Sequence, residues 1–359
     1  MKRIEISRLF VFMVVYLFIL VIAAVLPISI SHFNYVFLVV FTCLSFLLFP
    51  YYKTFLQLLF WGPIFILLYL FQPERSFLYC VNDILIILCL LHFVYVSQKT
   101  YIAFDELKFL RTCLWLYIGM TMIFSFFPSF YNDEGRFLGL MKGVNLSASV
   151  SMMLLILIWE IQKKIHESCL ILILLFLILL YCCYVYKTRT LFLVLPYFLY
   201  QFRAFFRMRH ILAIISVISV IAVINYWEQL VDLLRLTNDS SYITRMSLYL
   251  YMFDLLKDSY FVVPHGFNAA TSLVVKYTGV DNYSVHNDLL RYLFDWGILF
   301  LLFLVILFKK ILCHQKMNFY LIFLSVFALS FHNMLFSIYI WCPFLLIMNI
   351  NRMSINHRL

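Results

Sequence analysis

Residues 9–28, LFVFMVVYLFILVIAAVLPI, form an apolar run without a single charged side chain. About 20 such residues cross a bilayer as a helix, the one single-segment structure that satisfies its own backbone in lipid. Similar runs recur at 33–49, 54–71, 77–96, 107–127, 144–161, 168–186, 190–206, 211–227, 289–308, 317–335 and, more briefly, 337–350. A soluble fold is excluded. Of 359 residues 65% are hydrophobic and 12% charged, with a mean hydropathy of +0.98, too little polar surface to cover a core. The expected fold class is an all-α polytopic membrane protein with about 12 transmembrane helices, one integral membrane domain over residues 1–359. The first run lacks the small-residue cleavage pattern of a signal peptide and is expected to be retained as a span.

Twelve spans place both termini on one side. The termini and the connections on that side carry 17 of the 27 Lys and Arg residues, among them Lys163, Lys164, Arg203, Arg207, Arg209, Lys309 and Lys310. The positive-inside rule puts that side in the cytoplasm. The net charge of +10 is then a topology signal, and nucleic-acid binding is not needed to explain it. Nine cysteines include no CxxC pair and no Cys/His spacing suited to zinc, so neither a disulfide framework nor a metal site is expected.

Two outward segments stand out. One is PSFYNDEGRFLGLMKGVNLSA, residues 128–148, and the other is the long exoplasmic loop 228–285. Within that loop Ile243, Met246, Leu250, Phe253 and Leu256 form a helical stripe, which suits a helix lying along the membrane surface. Lys187, Lys257 and Lys276 read as solvated outward charges.

The polar residues that need explaining lie near outer helix ends. Asp83, beside Asn82, falls about 9 Å into the fourth span, where a carboxylate lines a site or pairs with an arginine. Arg136, Arg189 and Arg245 sit on the outward side, each beside apolar sequence. Arginine makes paired, permanently charged contacts with phosphate oxygens. In YSVHNDLLRYLFDWGILF, Ser284 or Asn282 is placed to cap the tenth span and put His286 in its first turn. The positive helix end there favours a neutral imidazole able to accept a proton near pH 7. Asn287, Arg291 and Asp295 follow at i+4 steps and share one helix face. Such a face is tolerated in a membrane helix only away from lipid.

Four segments in order, RFLGLMKGVNLSA, KTRTLFLVLP, ITRMSLYLYMFDLLKDSYFVVPHGF and HNDLLRYLFDWGIL, resemble those of the O-antigen polymerase/ligase family. The resemblance covers roughly residues 136–302. Val144 stands before Asn145 where the family often has Pro, and Pro-His-Gly replaces a Gly-rich turn. The resemblance implies a GT-C-like, metal-independent glycosyltransferase, without cofactor, facing the periplasm or outside from the cytoplasmic (inner) membrane. Its donor is a glycan on undecaprenyl pyrophosphate. Carried over by position, Arg189 and Arg245 bind the pyrophosphate, with Arg136 as a further candidate, and His286 sits at the acceptor hydroxyl. Asn287, Arg291, Asp295, Asp83 and Asn145 support or line the site. A repeat-unit polymerase fits better than a ligase acting on lipid A-core, because HND, the RFLG…N segment and the short chain are more polymerase-like. Pathway partners would include a chain-length regulator and a flippase. The competing class is a transporter or lipid-linked oligosaccharide flippase, which usually scatters charges through the membrane interior and shows halves of similar hydropathy. Neither trait is evident in this sequence.

Overall fold

The computed structural model describes residues 7–25, 30–50, 52–70, 77–99, 102–207, 240–258, 263–279, 285, 287–312, 317–328 and 337–356. They are helical, with one isolated bridge between Tyr131 and Phe137. The helices are α1 (Arg8–Val25), α2 (Ile30–Leu48), α3 (Tyr52–Leu70), α4 (Phe77–Lys99), α5 (Phe104–Phe124), α6 (Val144–Ile165) and α7 (Cys169–Tyr186). There follow α8 (Leu195–Phe202), α9 (Ser240–Asp258), α10 (Ala269–Thr278), α11 (Asp288–Trp296), α12 (Ile298–Leu312), α13 (Met317–Ala328) and α14 (Ile338–Asn356).

Three of them, α5, α6 and α7, are long and apolar enough to cross a membrane, and shorter apolar stretches lie in α1, α2, α4, α12 and α14. These helices mark a membrane protein. Three expected spans look different in the structure. Over 190–206 the chain makes a 3₁₀ turn (Arg189–Val194) and then the short α8, which begins at the junction where Pro196 removes a backbone donor. The expected span 289–308 is split at Gly297, whose φ of 56° and ψ of −134° suit glycine alone, into α11 and α12. The last run, short in sequence, belongs to a 19-residue helix at the centre of the bundle. Span 211–227 lies outside the described residues.

Helix α6 is buried along 146–162, and α14 along 339–350. They pack on each other, flanked by α4, α5 and α7, while α1 leans on α5, α2 and α14. Small residues at the start of α6, Ser147, Ala148, Ser149 and Ser151, are all buried, and Ser151 meets the Tyr186 hydroxyl of α7 at 3.3 Å. Ser149 Oγ donates back to the Asn145 carbonyl at 2.7 Å, leaving no hydroxyl unpaired there.

Hydrogen bonds between helix ends define two ends of the bundle. At the near end the Glu106 carboxylate accepts from the backbone N–H and hydroxyl of Ser7, both at 2.6 Å, and from the Ala103 N–H at 2.8 Å. One side chain thereby joins the starts of α1 and α5. Arg8 donates to the Leu48 carbonyl at 3.1 Å, and Arg111 to Gln162 at 2.8 Å, adding the ends of α2 and α6. At the far end Ser125 and Tyr181 hydroxyls meet at 2.6 Å, joining the ends of α5 and α7. Few residues separate α4 from α5, so α4 ends near and starts far.

The helices of the long loop have a small core of their own. Leu248, Met252 and Leu256 of α9 pack with Ala270 and Val274 of α10 and with Val285, Leu290 and Phe294. The stripe expected on α9 is therefore displaced: Met246, Leu250 and Phe253 are exposed, and of the expected residues Leu256 is packed inward. The exposed apolar face remains suited to a membrane surface. Ile243 lies beyond the described side chains.

Candidate functional site

The far end of the bundle carries two polar centres. The first gathers around Arg136. The turn before it is set by the Asn132 side chain, which accepts from the Arg136 N–H at 2.8 Å, while the Phe137 N–H pairs with the Val185 carbonyl at 3.0 Å. The guanidinium then reaches three acceptors: the Tyr186 carbonyl from Nε at 3.2 Å, and Thr188 Oγ1 and Asn145 Oδ1 from Nη2 at 3.3 and 3.4 Å. Glu134 stands 3.6 Å from Nη1. Arg136 thus ties the 128–143 loop to the start of α6 and to the junction at which Arg189 opens its 3₁₀ turn. The backbone of Arg189 adjoins Thr188, a partner of Arg136; its side chain lies beyond the described ones.

Gly139 shows why this loop needs glycine. Its φ is +68°, and an added Cβ would lie 2.4 Å from Ser147 Cβ and 2.9 Å from the Tyr186 hydroxyl. Ser147 Oγ donates to the Leu138 carbonyl at 2.7 Å, which seats the turn on α6.

The second centre is built on α11. Its cap is Asn287, whose side chain accepts from the Leu290 N–H at 3.1 Å. Neither Ser284 nor Asn282 caps this helix, and its first turn begins at Asp288, beyond position 286. The cause is spacing: an Asn cap bonds the amide three residues on, and Asn287 has that amide in the helix. His286 itself lies outside the described residues.

Arg291 and Asp295 share a face of α11 as their spacing predicts, with Arg291 Nε 3.8 Å from Asp295 Oδ2. Asp83 of α4 faces the same guanidinium, and Tyr292 and Trp296 lie close to it. Both carboxylates are fully buried. Asp83 is within electrostatic reach of Arg291, and this is compatible with both a counter-charge and a site-lining role. The polar face of α11 is turned into the protein.

Asp295 also has a second partner. Its Oδ1 accepts from the Ala270 N–H at 2.8 Å, at the start of α10, and the Asp295 carbonyl accepts from Gly266 at 2.9 Å. A carboxylate at a helix N-terminus meets the positive end of the helix dipole. The Pro-His-Gly turn is therefore docked onto the last turn of α11. Phe267 of that turn stacks on Phe65 of α3, with ring centroids 5.5 Å apart. Phe65 lies five residues before the end of α3, and Asp83 six residues into α4. At 1.5 Å per residue both are about 8–9 Å beneath the far end. Part of the long loop thus folds back to the depth of the buried charges, with protein around it.

Arg245 sits on α9, half-buried, with its Nε lacking a hydrogen-bond partner. Helix α10 was not foreseen, although Ala270, Leu273 and Val274 followed by Gly279 give a short helical pattern with a stop. A third polar group, at the near end, was also missed. Glu160 of α6 is buried, pairs with Lys163 at 2.5 Å and accepts from the Tyr197 hydroxyl of α8. Its signal was Glu160 placed three residues before Lys163. Among the described residues no group of three or more His, Cys, Asp or Glu side chains is placed to hold a metal. Compared with known proteins, the chain matches no family model, no curated protein and no solved structure.

Proposed function

We propose that the chain is a membrane glycosyltransferase that polymerises oligosaccharide repeat units carried on undecaprenyl pyrophosphate, working at the outer face of the cytoplasmic membrane. The observation that carries this proposal is the junction at Arg136. It joins RFLG, the Asn145 helix start and the Thr188–Arg189 turn, three pieces of the two motifs that resemble an O-antigen polymerase, at one end of the bundle.

In the proposed reaction Arg189 and Arg245 hold the pyrophosphate oxygens, and Arg136 keeps the Arg189 turn in place. His286 takes the proton of the acceptor hydroxyl. The acceptor oxygen bonds to the anomeric carbon of the donor while the bond from that carbon to the pyrophosphate oxygen breaks, its electron pair leaving with the pyrophosphate. A good leaving group, fixed positive charge and one positioned base supply the main requirements of this step. Transfer to lipid A-core, as in a ligase, uses the same donor chemistry.

One observation favours the second class. The buried Asp83–Arg291–Asp295 set beside the break at Gly297 resembles the intramembrane charges and broken helices of transporters. Against it, both carboxylates lie close to Arg291, and Asp295 additionally caps α10.

Donor retention by purified protein tests the proposed pyrophosphate site. Arg245→Ala loses the lipid-linked donor and Arg245→Lys retains part of it, because lysine keeps the charge but not the paired donors. Unchanged retention in Arg245→Ala would put the pyrophosphate elsewhere.

A further inference from the structure

A cavity of about 260 Å³ opens between the 264–268 turn and α10, walled by His265, Phe267, Ser272, Lys276 and Phe294 among others. The His265 ring is held on two sides. It stacks on Phe294 with centroids 4.1 Å apart and an interplanar angle of 15°, and its Nδ1 is 3.2 Å from the Phe294 carbonyl. A carbonyl only accepts, so Nδ1 carries the hydrogen, and in the neutral ring Nε2 is left with its lone pair. Among the described residues Nε2 has no hydrogen-bond partner. The cavity wall therefore presents a fixed acceptor. Among the described residues of that wall Lys276 is the one charged side chain, a cation with donors only, and no carboxylate accompanies it there. A ligand that satisfies both brings a hydroxyl to His265 and an anionic group to Lys276. The volume lies just below the roughly 300–1,000 Å³ usual for drug-sized ligands, which suits one sugar ring.

We infer that this cavity binds one acidic sugar ring. Its assignment to a sugar of the repeat unit rests on the proposed function and deepens it: the cavity would select repeat units by an anionic residue, next to the Asp295 cap. Lys276 is then more than a solvated charge.

The test uses the full chain in lipid nanodiscs and ligand-observed saturation-transfer NMR, with glucuronate, galacturonate and N-acetylneuraminate as probes and glucose and inorganic phosphate as controls. At least one acidic sugar should receive saturation and bind more tightly than glucose. Lys276→Gln, at an exposed position, should weaken it about fivefold, and His265→Gln should weaken it as well. No transfer to any acidic sugar, equal binding of glucose, displacement of the bound acidic sugar by phosphate at equal concentration, or unchanged affinity in Lys276→Gln overturns the assignment. Binding is read without turnover, so the two proposals fail separately. A protein that binds an acidic sugar but builds no polymer keeps the cavity site and loses the proposed function. One that builds polymer but binds none of the three loses the cavity site alone.

Discussion

The Asp295 carboxylate accepts the Ala270 N–H at 2.8 Å, so a side chain buried at the end of α11 caps the start of α10. The same carboxylate faces Arg291, which Asp83 approaches from α4. The carboxylate of Asp295 thus links α10 and α11, with Asp83 of α4 and Asp288 in electrostatic reach of the same arginine.

Asp295→Ala removes both the cap and one counter-charge, and should destabilise the protein by roughly 3–5 kcal/mol, the cost of breaking a buried pair. Asp295→Asn keeps the acceptor for Ala270 and should cost less. Adding Asp83→Asn to it removes two of the three acids around Arg291 and leaves Asp288 alone, so the double variant should lose more than the sum of the single losses. Thermal unfolding in detergent measures the cycle. Additive losses would mean that the two acids do not share Arg291.

Gly139→Ala should destabilise the 128–143 loop by at least the ~1–2 kcal/mol that a side chain costs in a left-handed conformation. The clash with Ser147, at 2.4 Å, adds to this. Unfolding temperature is again the readout, and an unchanged value would contradict the close seating of this loop on α6.

How much of this was legible depends on what a sequence pattern can distinguish. The apolar runs located α1 to α7 because length and hydropathy decide a crossing. The i+4 spacing of Arg291 and Asp295 gave their shared face, and the depth of Asp83 marked it as a carboxylate that lines a site or pairs with an arginine. On α9 the pattern misled, since Leu248, Met252 and Leu256 are as apolar as Met246, Leu250 and Phe253. Where both faces are apolar, periodicity does not say which meets protein. The cap of α11 was misplaced because Asn282, Ser284 and Asn287 are all capping residues, and geometry alone chooses among them. The docking of the Pro-His-Gly turn on α11 joins His265 to Phe294 and Gly266 to Asp295 through backbone groups, which leave no mark in sequence.

Topology follows from charge and from helix-end pairing together. The near end, where Ser7, Glu106, Arg111 and Gln162 meet, carries the basic excess and should be cytoplasmic. Reporter tags after Lys164, Arg209 and Lys310 should read the cytoplasm, and a tag after Ser240 the outside. A cytoplasmic signal from the 228–285 loop would remove the proposed site from its substrate.

Chain growth by the purified protein, given one lipid-linked repeat unit as sole substrate, tests the central claim most directly. The expected result is a ladder of products separated by one repeat each. His286→Ala should slow it by ~10²–10⁴-fold while retaining the donor, as loss of a general base requires. A wild-type protein that yields no ladder in this assay, or that moves the lipid-linked unit across a vesicle membrane without lengthening it, would contradict the polymerase assignment.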